Sequence, residues 1–200
     1  MKKNLILVLA LLMAVCIGVG GTLAYLFVET PPVTNTFVYG DINITLKEDK
    51  LLADGTLDKN TPVDKNEYQY VPGDILNKRP YVTIRATSQK CYLFIQVEEA
   101  NNTYSGLNGK IVDWAIDTAI WTEFEGASNV WYKEIDTVTS TDISYDILLN
   151  DQVSVNSGVT KTMINASDFK TPSLTFIAYA VQKDNVASAS DAWRIANPTA

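Results

Sequence analysis

The side chains that most often carry enzyme chemistry are scarce in this 200-residue chain, which has no histidine and two cysteines. Without histidine there is no Ser-His-Asp or Cys-His arrangement and no H-E-x-x-H zinc motif. The chain also lacks the G-x-x-x-x-G-K-[ST] phosphate-binding loop and the G-x-S-x-G nucleophile motif. We therefore expect no enzymatic activity, and the sequence indicates no catalytic residue, cofactor or metal site.

Carboxylates are the remaining candidates for acid–base chemistry or metal binding, and the most notable are Glu98, Glu99, Asp113, Asp117, Glu123 and Glu125. A glycosidase needs two such groups about 5–10 Å apart across a cleft, and a solvated acidic surface is the more common role. Asp146, Asn150 and Asp151 offer oxygen ligands suited to calcium. They do not follow an EF-hand pattern, so they predict a turn.

Aromatic residues suggest a binding function that needs no catalysis. Trp114, Trp121, Trp131 and Tyr132 could form a stacking platform for cell-wall or matrix glycans, as in lectin-like jelly rolls. The usual role of tryptophan in a β-sandwich is core packing. A monomeric surface module that binds glycan is therefore kept as the alternative function.

Alternating apolar and polar residues predict that strands position these side chains. The predicted strands are 41–47, 81–87, 91–98, 130–135, 143–149, 159–164 and 173–182, while 111–121 fits a strand or an amphipathic helical turn. Residues 173–182 are apolar on both faces, which predicts a central strand covered on both sides. A short helix is predicted over 188–195.

Turn signals separate these segments. Asp54-Gly55 predicts a hairpin turn, Val71-Pro72-Gly73-Asp74 a β-turn, and residues 156–158 a polar turn. About eight short strands separated by turns favour an all-β fold. We predict a two-sheet antiparallel β-sandwich, jelly-roll-like, forming a single domain over residues 41–200.

The N-terminus has the order of a secretory signal peptide. Lys2 and Lys3 precede an apolar run over 5–17, glycines and then Thr22-Leu23-Ala24, which predicts a signal peptide over 1–24 cleaved between Ala24 and Tyr25. A retained membrane anchor is the competing interpretation, because no charge occurs between Asn4 and Glu29. Contact with a membrane is expected only through this segment when it is uncleaved.

Removal of residues 1–24 leaves 14 basic and 23 acidic residues, because Lys2 and Lys3 are lost from the 16 basic ones. A net charge of −9 repels nucleic acids and anionic lipids, so neither is expected as a partner. Cys16 is lost with the signal peptide, which leaves Cys91 without a partner for a disulfide. The apolar alternation around Cys91 predicts a buried core thiol.

Two segments near the N-terminus and one turn resemble a known family. Gly-Thr-Leu-Ala-Tyr-Leu-Phe at 21–27, the strand at 35–46 and Pro72-Gly73-Asp74 followed by Lys78 resemble TasA/camelysin-like proteins with a SipW-type signal peptide. The resemblance implies a jelly roll, secretion to the surface of a Gram-positive-type bacterium, and a biofilm-matrix fibre subunit. It also implies that the mature N-terminal segment adds as a strand to a neighbouring subunit. The protease label of some relatives is not supported here, since histidine is absent.

The residues themselves favour assembly as well. Cleavage would expose Tyr25, Leu26, Phe27 and Val28, and burying each large side chain is worth about 1.5–3 kcal/mol. Pro31-Pro32 stiffens the chain behind them, so residues 25–40 are predicted to be an extended arm or first strand. Such an arm suits strand addition to a second copy, and folding back on its own sheet is the alternative. Self-association is the expected partnership, with matrix proteins or glycans as other partners.

Overall fold

The computed structural model describes residues 41–137 and 140–198, and β-strands form most of their regular structure. The strands are β1 (Ile44–Leu51), β2 (Leu57–Val63), β3 (Ile75–Asn77), β4 (Pro80–Ile84), β5 (Cys91–Ala100), β6 (Val112–Asp113), β7 (Thr122–Glu123), β8 (Val130–Ile135), β9 (Ile143–Asp146), β10 (Gln152–Val155) and β11 (Ser173–Gln182). A 3-10 turn spans Leu149–Asp151, and the α-helices are α1 (Lys161–Ile164) and α2 (Ala189–Ala196).

The strands form three antiparallel sheets. The first has the order β2-β1-β4-β9, the second β3-β10-β6, and the third β11-β5-β8-β7. The predicted hairpin is confirmed, because β1 and β2 pair around the turn that contains Asp54-Gly55. In the part of the chain that the structure describes, no helix is long and apolar enough to cross a bilayer.

Side chains of the first and third sheets share the main hydrophobic core. Val82 and Ile84 of β4 pack with Cys91, Leu93 and Ile95 of β5, and all five are at most 1% exposed. The predicted alternation of both strands is confirmed. Cys91 is 0% exposed and is therefore a core residue as predicted, and this burial raises the pKa of its thiol to about 11.

The opposite face of the third sheet carries a second core, covered by α2. Phe94 of β5 packs against Trp193 of α2, with ring centroids 5.2 Å apart. The Ser188 hydroxyl accepts a hydrogen bond from the Asp191 amide at 3.1 Å, which caps the helix. The helix predicted over 188–195 is therefore confirmed.

Three other predictions need correction. The strand predicted over 159–164 is wrong, because Thr160 caps the helical turn α1 by accepting a hydrogen bond from Met163 N at 3.3 Å. Local capping outweighs the weak apolar alternation there. Residues 111–121 form only the two-residue strand β6, a single bridge at Ile116 and turns. The strand at Ser173–Gln182 is confirmed, but among the strands that the structure describes it lies at the outer end of the third sheet, with β5 internal.

The signal peptide over 1–24, its cleavage after Ala24 and the arm over 25–40 lie outside the described residues.

The turn at 71–74 is confirmed by a 3.0 Å hydrogen bond from the Asp74 amide to the Val71 carbonyl. Gly73 has a φ of +89° in this turn, a conformation that glycine adopts without a steric penalty.

Candidate functional site

The outer edge of β11 is the most unusual feature of the described structure. Its ten residues, Ser-Leu-Thr-Phe-Ile-Ala-Tyr-Ala-Val-Gln, contain no charge and no proline. Seven of them are apolar or aromatic, yet none is fully buried. Among residues 41–137 and 140–198, β11 pairs only with β5. An uncharged apolar edge of this length is a template for adding another strand.

The register shows which backbone groups of β11 face outward. Lys183 N–H donates to the Lys90 carbonyl at 2.9 Å, which makes these two residues a hydrogen-bonded pair. Hydrogen-bonded and non-bonded pairs alternate along an antiparallel ladder, so the inward groups belong to Thr175, Ile177, Tyr179 and Val181. The N–H and C=O groups of Leu174, Phe176, Ala178 and Ala180 therefore point away from β5.

The other outer strands of the two four-stranded sheets have features that block strand addition. Strand β2 carries Asp58, Lys59 and Pro62. Strand β9 has four residues including Asp146, and β7 has two residues including Glu123. Only β11, among these four described edges, is long and without charge or proline.

A groove lies against the Ser173 end of this edge. One cavity of about 400 Å³ is lined by Tyr68, Tyr70, Leu76, Val153 and Leu174, among others. An adjoining cavity of about 280 Å³ is lined in part by Leu46, Lys47, Glu48 and Phe176. The two cavities share Asn66, Lys78 and Leu174. The groove thus runs between β11 and the segment over 64–70.

A buried ion pair lines the groove. Lys78 Nζ lies 3.0 Å and 2.9 Å from the two carboxylate oxygens of Glu48, and the side chains are 10% and 8% exposed. The Tyr68 hydroxyl donates a hydrogen bond to the same carboxylate. Lys78 Nζ also lies 4.9 Å from the Tyr68 ring centroid and 5.6 Å from that of Phe176. Burial, followed by the hydrogen bond to Glu48, raises the pKa of Tyr68, so this hydroxyl stays protonated.

The Asn66 side chain holds the far wall of the groove in place. Its Oδ1 accepts a hydrogen bond from the Leu51 amide at 2.8 Å, and its Nδ2 donates to the Asp49 carbonyl at 2.8 Å. Both partners belong to β1, so the segment over 64–70 is fastened to the first sheet by side-chain bonds. The groove is therefore bounded by two fixed walls.

The carboxylates considered for calcium instead surround a guanidinium. Arg79 lies 2.9 Å from Asp49, 2.7 Å from Asp146 and 3.6 Å from Asp151. Burial and the nearby Asp146 raise the pKa of Asp151. Asn150 takes a left-handed φ of 57° in the predicted turn. The described residues contain no cluster of three His, Cys, Asp or Glu side chains arranged to hold a metal ion.

The four aromatic residues considered for glycan binding do not share one surface. Trp121 is 1% exposed and its Nε1–H donates to the Asp146 carbonyl at 2.7 Å, so it belongs to the core. Trp114 and Trp131 meet edge to face at 5.7 Å, and both are half-buried against the main core. Tyr132 packs in the second core, on the opposite face of the third sheet. Only the Trp114–Trp131 pair is brought together.

Among the acidic candidates, Glu99 has the most partners. Its carboxylate accepts hydrogen bonds from Lys110, Asn102 and Trp114. Burial alone would raise its pKa, but these hydrogen bonds together lower it. Glu99 is thus an ionised group that ties a loop to β5, which is a structural role.

Sequence reasoning missed the groove. It singled out Lys78 only as part of a motif, and it gave no role to Glu48 or Tyr68. Glu48 and Asp49 are neighbours on β1, and both are buried, at 7% and 0% exposure. The alternation of apolar and polar residues in the sequence does not indicate that both would be buried.

Comparison with known proteins finds no matching family model, no matching curated protein and no matching solved structure.

Proposed function

We propose that this protein is a secreted or cell-surface structural protein of a Gram-positive-type bacterium, a divergent relative of the TasA/camelysin-like proteins, that assembles into extracellular matrix fibres. The domain is proposed to be a jelly-roll-like β-sandwich, in which the first and third sheets enclose the main core. The observation that carries the function is the uncharged, outward-facing edge of β11 beside a groove lined by apolar side chains and by the Lys78–Glu48 ion pair.

Strand addition would use both parts of this site. The outward amides and carbonyls at Leu174 and Phe176 would form the ladder with an incoming strand, and the groove would accept its side chains. Residues 25–28 of a second copy, exposed by cleavage after Ala24, are the proposed occupant. Four extended residues span about 13 Å, which is the length of β11 from Ser173 to Phe176 at the same rise.

Two prolines after this segment would limit the length of the added strand. Pro31-Pro32 cannot donate ladder hydrogen bonds, so an added strand ends before them. Residues 25–28 are thus a short apolar segment, and the edge that they would meet is apolar and has no second partner among the described strands. Because residues 25–28 and the outer edge of β11 are both apolar, they suit each other, and this supports strand exchange between subunits.

Thr175→Lys tests this function against a matched control, Thr122→Lys. Both threonines are exposed strand residues of the third sheet, but Thr175 lies on β11 and Thr122 on β7, at its opposite ends. A lysine on an open edge discourages strand addition. For purified protein starting at Tyr25, negative-stain microscopy should show filaments for wild type and Thr122→Lys, and none for Thr175→Lys.

Circular dichroism of both variants checks that the domain is folded. Filaments of equal number and length from folded Thr175→Lys protein would refute the use of this edge. A wild-type protein that stays monomeric under all conditions would refute the assembly function itself.

A further inference from the structure

The outer face of the second sheet is a surface that the proposed assembly site does not use. Side chains alternate between the two faces of a strand, and Val153 and Val155 of β10 are buried on the inner face, at 5% and 3% exposure. The strand register then places on the outer face the side chains of Ile75, Asn77, Asp113, Gln152 and Ser154. This face combines one aliphatic side chain with two amides, a hydroxyl and a carboxylate.

An open cavity of about 290 Å³ lies on this face, next to the 3-10 turn Leu149–Asp151. Its apolar lining includes the half-buried Trp114 together with Ile75 and Leu149, which are 67% and 46% exposed. Its polar lining is formed by four exposed residues, Asp113, Asn150, Gln152 and Ser154. Exposed apolar side chains surrounded by uncharged polar groups are typical of a ligand-binding surface.

The Trp114 wall of the cavity is fixed by its neighbours. Its Nε1–H donates a hydrogen bond to the Glu99 carboxylate at 2.7 Å, and its ring meets Trp131 edge to face at 5.7 Å. The Leu149 amide donates to the Ala115 carbonyl at 2.9 Å, which fastens the 3-10 turn to the segment that carries Trp114. Because these walls are ordered before a ligand arrives, binding costs less conformational entropy.

We propose that this cavity binds an uncharged glycan built from pyranose units. A pyranose ring has apolar C–H faces, which pack against an aromatic ring and aliphatic side chains such as those of Trp114 and Ile75. It also has hydroxyl groups around its rim, which donate and accept hydrogen bonds. The side chains of Asn150, Gln152 and Ser154 do the same, so they match these hydroxyl groups.

The charge of the cavity favours an uncharged ligand. Among the described residues, its lining includes the carboxylate of Asp113 but neither lysine nor arginine, and the chain has a net charge of −7. Asp113 accepts hydrogen bonds from hydroxyl groups, whereas it repels the carboxylates, sulfates or phosphates of an anionic polymer.

This site differs from the aromatic platform that the sequence suggested, because only Trp114 of those four aromatic residues lines the cavity. It also goes beyond the assembly function. The cavity lies on the second sheet, whereas β11 belongs to the third, so glycan binding holds whether or not filaments form.

Calorimetric titration of purified protein starting at Tyr25, at a concentration at which it is monomeric, tests the site. The uncharged probes are tetramers of β-1,4-linked glucose, N-acetylglucosamine and mannose and of α-1,4-linked glucose, and the anionic probe is a tetramer of galacturonic acid. We expect at least one uncharged tetramer to bind with a Kd of about 1 mM or lower, and the galacturonic acid tetramer to bind at least about 10-fold more weakly. The proposal is overturned if no uncharged tetramer binds up to about 10 mM, or if the anionic tetramer binds as tightly as the best uncharged one.

Tryptophan fluorescence locates the bound glycan. Binding should change the emission of wild-type protein, and Trp114→Phe should remove most of that change while calorimetry still detects binding, because phenylalanine retains an aromatic ring. An undiminished emission change in Trp114→Phe protein would place the glycan elsewhere and overturn the proposal.

Substitution of exposed polar residues provides a further measurement that does not disturb the core. Gln152→Ala and Asp113→Ala should each weaken binding about 5-fold or more, the usual effect of losing one hydrogen bond. Gln182→Ala is the matched control, since Gln182 is an exposed glutamine on a strand of the third sheet, and it should bind like wild type. Circular dichroism checks that all three variants are folded.

Two results of these measurements would contradict the site. Wild-type affinity in both folded variants, Gln152→Ala and Asp113→Ala, would show that the glycan does not contact this face. Self-association that Ile75→Asn abolishes, in protein that binds none of the glycans, would assign the face to a second copy of the chain.

Discussion

Replacing Lys78 with methionine removes the positive charge from the groove while retaining an apolar chain beside Tyr68 and Phe176. Glu48 then stays 8% exposed with no cation beside it. Breaking a buried pair from one side costs about 3–5 kcal/mol, because an uncompensated charge remains in a low-dielectric site. The Tyr68 hydroxyl still donates to the carboxylate, so we expect a loss near the lower end of that range.

Urea unfolding followed by tryptophan fluorescence measures the effect, since Trp121 is buried and its emission changes when the core opens. With a slope of about 2 kcal/mol per molar urea, a loss of about 3 kcal/mol lowers the midpoint by about 1.5 M. Lys65→Met is the matched control. Its side chain is 82% exposed and 3.8 Å from Glu67, so little change is expected.

A triple variant separates the cost of a lone buried charge from a general loss of packing. Lys78→Met, Glu48→Leu and Tyr68→Phe together remove the cation, the carboxylate and the hydroxyl that binds it. Replacing all partners of a buried polar group by apolar ones is often close to neutral, so the triple variant should regain most of the stability. The reasoning fails if Lys78→Met costs no more than Lys65→Met, or if the triple variant is as unstable as the single one.

Two further outcomes follow from shifted pKa values. Burial and Asp146 raise the pKa of Asp151 above its ordinary value of 3.8, so ionised Asp151 costs folding stability at neutral pH. Asp151→Asn should therefore raise Tm at pH 7, with a gain that shrinks as pH falls towards 4; a lower Tm at pH 7 would contradict this. Burial raises the pKa of Cys91 to about 11, so at pH 8 only about 0.1% of the thiol is ionised. A thiol reagent should leave Cys91 unmodified in native protein and label it in urea, and rapid native labelling would show that the thiol is accessible.

The strands of the third sheet are where sequence reasoning succeeded most fully. The bounds of Val130–Ile135 and Ser173–Gln182 were predictable because each has an unbroken local pattern bounded by turn residues. The assignment of β11 faces also holds, since Phe176 and Ala178 contact the main core while Tyr179 contacts the second one. A two-residue period reports which way each side chain points, and that is a local property.

The candidate site was not predictable in the same way. Apolar residues on both faces of β11 led to the expectation of a central strand, whereas β11 is an outer strand among those that the structure describes. The side chains of a strand point above and below the sheet, whereas the hydrogen bonds that pair it with its neighbours lie in the plane of the sheet. Only the side-chain directions produce a periodic pattern in the sequence, so that pattern does not report whether a strand is central or outermost. Glu48 and Lys78 are 30 positions apart, and no spacing rule relates them.

By itself, the sequence determined that β-strands form most of the regular structure, that Cys91 is a core residue and that this chain contains no histidine. These properties depend on composition and on the local alternation of side chains. Tertiary structure alone decided that Trp121 is buried while Trp131 is half-buried, that Arg79 lies close to three carboxylates, and that β11 is an outer strand among those described. Those outcomes depend on which strands become neighbours, and strand order is set by the packing of the whole chain.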